Sequence, residues 1–373
     1  MKISLKRTLS LLLVLVFLVS LVSCGKKEPT TQTDEEAVTA VPTEETKTDE
    51  KEPEIKLPEY MNPLTGLACD PSLVGKRPMS VVLNNHKDAL PQSGLSKYDI
   101  VCEALAEGGI LRMEGVVLDY MNVGRVGSIR SARPYLVELS LAFDSIFVHA
   151  GGSSEGYEAI STLQVNDVDG VKNGPFNVNG TAIFWRDQDR LKKGYAYEHT
   201  MFTSGANVKL AADSKNYRQT LSDPKFTAFA FDPAFDGLKN QTTATYIKIP
   251  HSTYSTSEFT YKPEDGLYYH SDYQKPHVDG ENGAQLATKN VFILFTQQGL
   301  YDSNSGKRNI QLTGEGTGYY FVGGEYTPIV WKRESRTGAF TYQNADGSEL
   351  KVACGRSFIS IVDIKTKNSL TIS

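Results

Sequence analysis

An α+β fold is predicted for this chain: a layered α/β unit in the N-terminal half, with an antiparallel, β-rich C-terminal unit packed against it. Three observations carry the prediction. Between about residues 59 and 220, short apolar runs alternate with helical patterns that open on Pro or Ser. From about 221 to 373 helical spacing gives way to alternating segments and tight turns. After the first two dozen residues, no apolar run reaches the length of a membrane span and no internal repeat is visible.

The first element is a leader. Lys2, Lys6 and Arg7 precede an apolar run from Leu9 to Val22, which closes on Leu21, Val22, Ser23 and Cys24. A positive start, an apolar segment short for a bilayer span and a small residue before cysteine make a lipoprotein signal, so residues 1–23 are expected to be removed and Cys24 to be lipidated. Acyl chains there would anchor the protein to the extracytoplasmic face of the bacterial membrane, each buried methylene contributing about 0.8 kcal/mol. Residues 24–58 are rich in Lys, Glu, Thr and Pro. Such a segment buries too little apolar surface to offset its chain entropy, and a disordered tether is expected.

In the N-terminal unit, 59–220, strands are expected at Met79 to Leu83, Ile100 to Leu105 and Ile110 to Asp119, with a turn at 90–95 and the pair Gly108 and Gly109 dividing the last two strands. Pro134 suits the first turn of a helix carrying Leu136, Leu139, Leu141 and Phe143. A strand at Ser145 to His149 and a helix at Ser153 to Leu163 follow, then a helix from Ser204, which supplies its own cap, to about Tyr217. In the C-terminal unit, 221–373, strands are expected at Thr243 to Ile249, Phe259 to Tyr269 with a turn at Asp265 and Gly266, Val291 to Phe295, Thr327 to Lys332, Phe340 to Gln343, Leu350 to Ala353 and Phe358 to Ile364. A boundary is expected between about Asp213 and Gln241.

The formal net charge is −5, and loss of the leader's three cations makes the remainder more acidic. That excludes the basic face nucleic acid requires. After lipidation, Cys69, Cys102 and Cys354 remain, an odd number at wide spacing that indicates neither a disulfide framework nor a zinc ribbon; small buried thiols are expected. No GxSxG elbow, HExxH helix, P-loop or dinucleotide fingerprint occurs, so no cofactor is indicated.

The chemistry concentrates in GRVGSIRSARPY, Gly124 to Tyr135. A glycine-containing loop entering a helix can present backbone N–H groups, while Arg130 and Arg133, with Ser128 and Ser131, add donors for phosphate or carboxylate. The competing reading is that the arginines brace the fold. His149 ends a strand and leads into Gly and Ser, the place where open α/β sheets hold ligands. Phe184, Trp185, Arg186 and Asp187 join an aromatic surface to charge and suit a sugar face, unless they are a packed Trp beside an internal ion pair. Glu198 and His199 are further acid or base candidates. His270, His277 and Asp279 carry ligand-type side chains close together, but match no strong zinc spacing.

Taken in order, NPLTGL, RPMSVVLNN at 77–85, PQSGLSKYDIVCEALAEGGILR at 91–112, GRVGSIRSARPY, FVHAGGS at 147–153, WRD at 185–187 and YYHSDYQKPHVD at 268–279 resemble the YerB-like lipoproteins of Gram-positive bacteria, the DUF3048 family. The resemblance covers essentially everything after the tether. It implies two consecutive units in a layered α/β body with packed sheets, and an unassigned activity. Its recurrent polar positions fall on Glu107, Arg112, Arg130, Ser131, Arg133, His149, Arg186 and His199, and on His277, Asp279 and Trp331. Thr200 stands where the family pattern has asparagine, which puts any role shared with His199 in doubt.

The expected function is that of a membrane-anchored lipoprotein binding an anionic envelope ligand, or a protein partner in wall synthesis, through Arg112, Ser128, Arg130, Ser131, Arg133, Trp185 and Arg186. The alternative is an enzyme on a phosphorylated or glycosidic envelope component, with His149, His199 or Glu107 moving the proton. Replacing Arg130 and Arg133 together is expected to abolish binding while leaving the thermal midpoint almost unchanged.

Overall fold

The computed structural model describes residues 55–373, apart from 236, 239, 240 and 302. The expected leader, Cys24 and nearly all of the expected tether lie outside the described residues. Strands from both halves of the chain build one sheet of eleven strands among those described. From one edge the order is Thr242–Thr243, Glu325–Arg333, Gly314–Val322, Asn290–Thr296, Ser357–Asp363, Ile100–Leu105, Leu111–Val117, Met79–Asn84, Ile146–His149 and Asp167–Asp169, with Thr341–Asn344 also pairing with Glu325–Arg333. The halves therefore join within a single sheet, where Ser357–Asp363 runs parallel to both Asn290–Thr296 and Ile100–Leu105. Met79–Asn84 runs parallel to Ile146–His149, which in turn runs parallel to Asp167–Asp169.

Both faces of this sheet are covered, which is why its central strands read as unbroken apolar runs. Phe292 and Leu294 face one side, with Val82, Cys102 and the helix Pro134–Ala142; Val291 and Ile293 face the other, with Ile247, Phe259 and the helix Gly205–Ser214. The second face is closed by a six-stranded antiparallel sheet built around Tyr246–Pro250, Thr256–Lys262 and Leu267–Asp272. Pro134 stands in the first turn of its helix, and Ser204 caps the helix Gly205–Ser214 by accepting from the N–H of Asn207 at 3.2 Å. Cys69, Cys102 and Cys354 are free thiols; Cys102 is buried and the other two are half-buried. No helix among the described residues is long and apolar enough to cross a membrane.

Candidate functional site

The carboxyl ends of the parallel strands Met79–Asn84 and Ile146–His149 open on one side of this mixed sheet, the end at which parallel strands place ligands. Segment 127–132 is threaded between them, and its backbone is committed to that task. The N–H of Gly127 donates to Ser93, that of Ile129 to Met201, that of Arg130 to Val82 and that of Ala132 to Gly151. The expectation of free N–H groups is thus corrected at these four positions, whose donors hold the chain in place.

Three adjoining cavities occupy this end of the sheet. The first, about 700 Å³, is walled by His86, Glu107, Arg112, Arg133, His199 and Lys307. The second, about 560 Å³, is walled by Arg130, Ser131, Lys172, Arg186 and Tyr197. Arg130 and Glu198 belong to both. The third, about 390 Å³, is walled by Gly170, Phe176, Phe184 and Trp185, and shares Val171, Arg186, Tyr197 and Met201 with the second.

Two arginines of the first cavity, Arg112 and Arg133, are braces. Glu107 takes two hydrogen bonds from the Arg133 guanidinium, at 2.5 and 2.9 Å, and lies 3.5 Å from Arg112. Arg112 also donates to the carbonyl of Ser131 at 2.8 Å. Burial pushes the Glu107 carboxyl up, but the bond from Arg133 and the charge of Arg112 outweigh it and hold the group below its ordinary value. Burial first, then the neighbouring Arg133 charge, lowers Arg112 to about 10. Bidentate pairing of this kind fixes geometry as well as charge.

The second cavity differs. Among the described residues the guanidinium of Arg130 has neither a hydrogen bond nor an ion pair, and its backbone bonds fix the segment that carries it. Lys172 rests its ammonium 4.6 Å from the centre of the Tyr157 ring, and Arg186 lies 3.8 Å over Tyr197 while donating to the Tyr197 carbonyl at 2.6 Å. None of the three cations has an ion pair among the described residues. Glu198, exposed in the same wall, is the nearest counter-charge named by the electrostatics of Arg130.

Asp169, which the sequence reading did not single out, organises the far wall. Its carboxylate accepts from the N–H groups of Gly151, Val171, Lys172 and Asn173 and from the Tyr157 hydroxyl, all between 2.9 and 3.2 Å. Burial opposes its charge, but His149 and these donors prevail, and its pKa is lowered. The signal was present as DGVKNG, an Asp followed by turn residues.

His149 lies inside the sheet and on none of the three cavity walls. One ring nitrogen is 2.7 Å from the Gly151 carbonyl and the other 3.2 Å from Asp167, so both are engaged in holding the loop. Ser128 is fully buried and likewise off the walls. Ser131 gives its hydroxyl to the Ala150 carbonyl at 3.1 Å. Trp185 is half-buried, and the expected ion pair within WRD is not made: Asp187 bonds Arg125 and caps the following helix through the N–H of Arg190. His199 is buried in the first cavity wall, with its Nδ1 unpartnered and its ring 5.2 Å from that of His86. Burial and then the His86 charge lower its pKa. Thr200 donates its hydroxyl to the Tyr197 carbonyl at 2.8 Å.

His270, His277 and Asp279 sit elsewhere, buried between the two large sheets. The two imidazoles meet Nδ1 to Nδ1 at 3.0 Å, whereas Asp279 turns away to accept from Gly94 and Ser96. No group of three or more metal-ligating side chains is formed among the described residues.

Two family models match the chain: "Protein of unknown function (DUF3048) N-terminal domain" over residues 64–218, and the corresponding C-terminal domain over 247–359. "Putative lipoprotein YerB" of Bacillus subtilis (strain 168) is 33% identical over 305 residues, spanning 80% of this chain and 85% of that protein. The crystal structure of the YerB protein from Bacillus subtilis superposes with a TM-score of 0.72 at 31% identity, covering 84% of this chain and 99% of that one.

Proposed function

The chain belongs to the DUF3048 family, and from that membership, the leader and the cavities we propose that it is a membrane-anchored extracytoplasmic lipoprotein that binds an anionic envelope ligand in the Arg130 cavity. The observation that carries this reading is the unpartnered Arg130 guanidinium, held on a segment that its own N–H and carbonyl bond to Val82 and Ala150, and flanked by Lys172 and Arg186. A cation that braces a fold is met by a carboxylate or carbonyls, as Arg133 is. One left open in a cavity retains its full capacity for a charge-assisted bond to phosphate or carboxylate. Lipidation at Cys24 accounts for the location, and Cys24→Ala is expected to release the protein from the membrane fraction; retention in the pellet would contradict the anchor.

A thermal-shift screen against wall fragments, teichoic acid pieces and pyrophosphate analogues tests the ligand. A compound that raises the midpoint of the wild type but not of Arg130→Ala supports the site. The absence of any shift would turn the search to a wall-synthesis protein partner.

A second reading rests on His199. Its unpartnered Nδ1 beside His86, in the cavity that adjoins Arg130, suits proton transfer to an anion held next door. Turnover of a phosphorylated substrate that His199→Gln abolishes without weakening binding would establish it. Turnover unchanged in that variant would exclude it.

A further inference from the structure

We infer that the ligand of this site is a phosphorylated carbohydrate, with its phosphoryl group against Arg130, Lys172 and Arg186 and its sugar ring in the adjoining aromatic cavity. The inference rests on the anion-binding reading above and adds the uncharged part of the ligand.

The third cavity is built unlike its neighbours. Phe176 is 50% exposed, Val171 53% and Tyr197 62%, three large apolar side chains grouped at one rim rather than scattered. Grouped exposure of this kind marks an interaction surface. Phe184 forms the floor by packing on Gly170, where a Cβ would lie 3.0 Å from its ring. Arg186, with the polar ends of Trp185 and Tyr197, supplies the polar part of this wall. Arg186 makes one hydrogen bond, through Nη1, and walls both this cavity and the second. The space, about 390 Å³, is within the range of small-molecule sites.

A sugar ring matches that layout, because it presents a C–H face to an aromatic surface and hydroxyls at its edge to a guanidinium. A purely hydrocarbon tail would leave the Arg186 donors unpaired, which buried polar groups tolerate poorly. Because Arg186 and Tyr197 wall both cavities, the two parts of the ligand would be joined directly, as they are in a sugar phosphate. Phe176 walls the third cavity but not the second, and is exposed enough for truncation to leave the fold intact.

The test is calorimetric titration of the full-length protein with inorganic phosphate, glycerol phosphate, glucose 1-phosphate and glucose, for wild type and for Phe176→Ala, which removes a wall of the third cavity alone. Glucose 1-phosphate is expected to bind the wild type at least tenfold more tightly than inorganic phosphate or glycerol phosphate. The variant is expected to lose most of that advantage and keep its phosphate affinity. Equal binding of glycerol phosphate and glucose 1-phosphate, or an unchanged advantage in the variant, would overturn the sugar site while leaving the anion site standing. Tighter binding of a nucleoside monophosphate or a polyprenyl phosphate, lost in the same variant, would overturn it in favour of that class. If no phosphorylated probe binds the wild type, the anion site fails and the sugar site with it.

Discussion

The Arg130 cavity and the histidine cluster between the sheets are drawn from the same kinds of residue, yet they satisfy those residues in opposite ways. In the cluster, Glu103 is fully buried and accepts from Ser257 at 2.8 Å and from Ser360, with His251 at 3.0 Å. Gln92 Oε1, which can only accept, lies 2.7 Å from His277 Nε2 and so fixes the proton there. The remaining nitrogen of His277 then accepts from His270. The other end of Gln92 donates to Asn85 at 2.9 Å, and Asn85 donates to Asp272 at 2.5 Å. The His277 lone pair is consumed by its neighbour, and His270 Nε2 is the one ring nitrogen of this pair left without a partner among the described residues. At Arg130 the reverse holds: its own N–H and carbonyl are bonded to Val82 and Ala150, and its charged group has no partner among the described residues. Saturation by partners, rather than residue type or burial alone, separates a brace from a binding group.

The largest expected effect lies in the cluster. Glu103→Ala leaves His251 and two serines without their shared acceptor and should cost about 3 to 5 kcal/mol in denaturant unfolding. A loss under about 1 kcal/mol would mean the network is dispensable. Next comes Arg133→Ala, which strips Glu107 of a two-bond partner and should cost about 1.5 to 3 kcal/mol. This corrects the expectation that Arg130 and Arg133 could be replaced together without a change in midpoint.

The pH dependence divides the cluster further. Burial pushes Glu103 up, but His251 and the hydroxyls hold it at about 2, so its stabilising contribution is present above 4.5 and is lost as pH falls toward 2. Asp272, raised by burial and by the Glu103 charge from 3.8 to about 7, has the opposite sign. The folded state binds its proton more tightly, so its contribution falls as pH rises across that interval. Relative to wild type, Asp272→Asn should therefore gain stability between pH 4 and 7 and show no such gain below 4. A difference independent of pH would contradict the assignment. The smallest expected effect is Arg130→Ala, at about 0.5 kcal/mol or less.

Much of the fold was legible because apolar runs bounded by turns are local signals. The strand Gly314–Val322 was not, since Gly314, Gly316 and Gly318 argue against a strand by propensity. The structure requires two of them: a Cβ at Gly316 would lie 2.6 Å from the Trp331 ring, and one at Gly318 would lie 2.5 Å from the Ile293 carbonyl. The shared sheet was also hidden, because Ile100 pairs with Ser357 across most of the chain and parallel pairing leaves no local mark. At the site, the arginine loop was legible as a cluster. What divides Arg130 from Arg133 was not, because it depends on how far Glu107 reaches across space. Lys172 was missed for the same reason, its position being set by the donors gathered on Asp169.

The central claim is that Arg130 serves a ligand and not the fold. Equilibrium dialysis of the full-length protein against pyrophosphate, for wild type and Arg130→Ala, with an unfolding curve for each, tests it most directly. The account predicts binding in the wild type, its loss in the variant, and coincident unfolding curves. Undiminished binding by the variant, or a variant that unfolds at markedly lower denaturant, would contradict it.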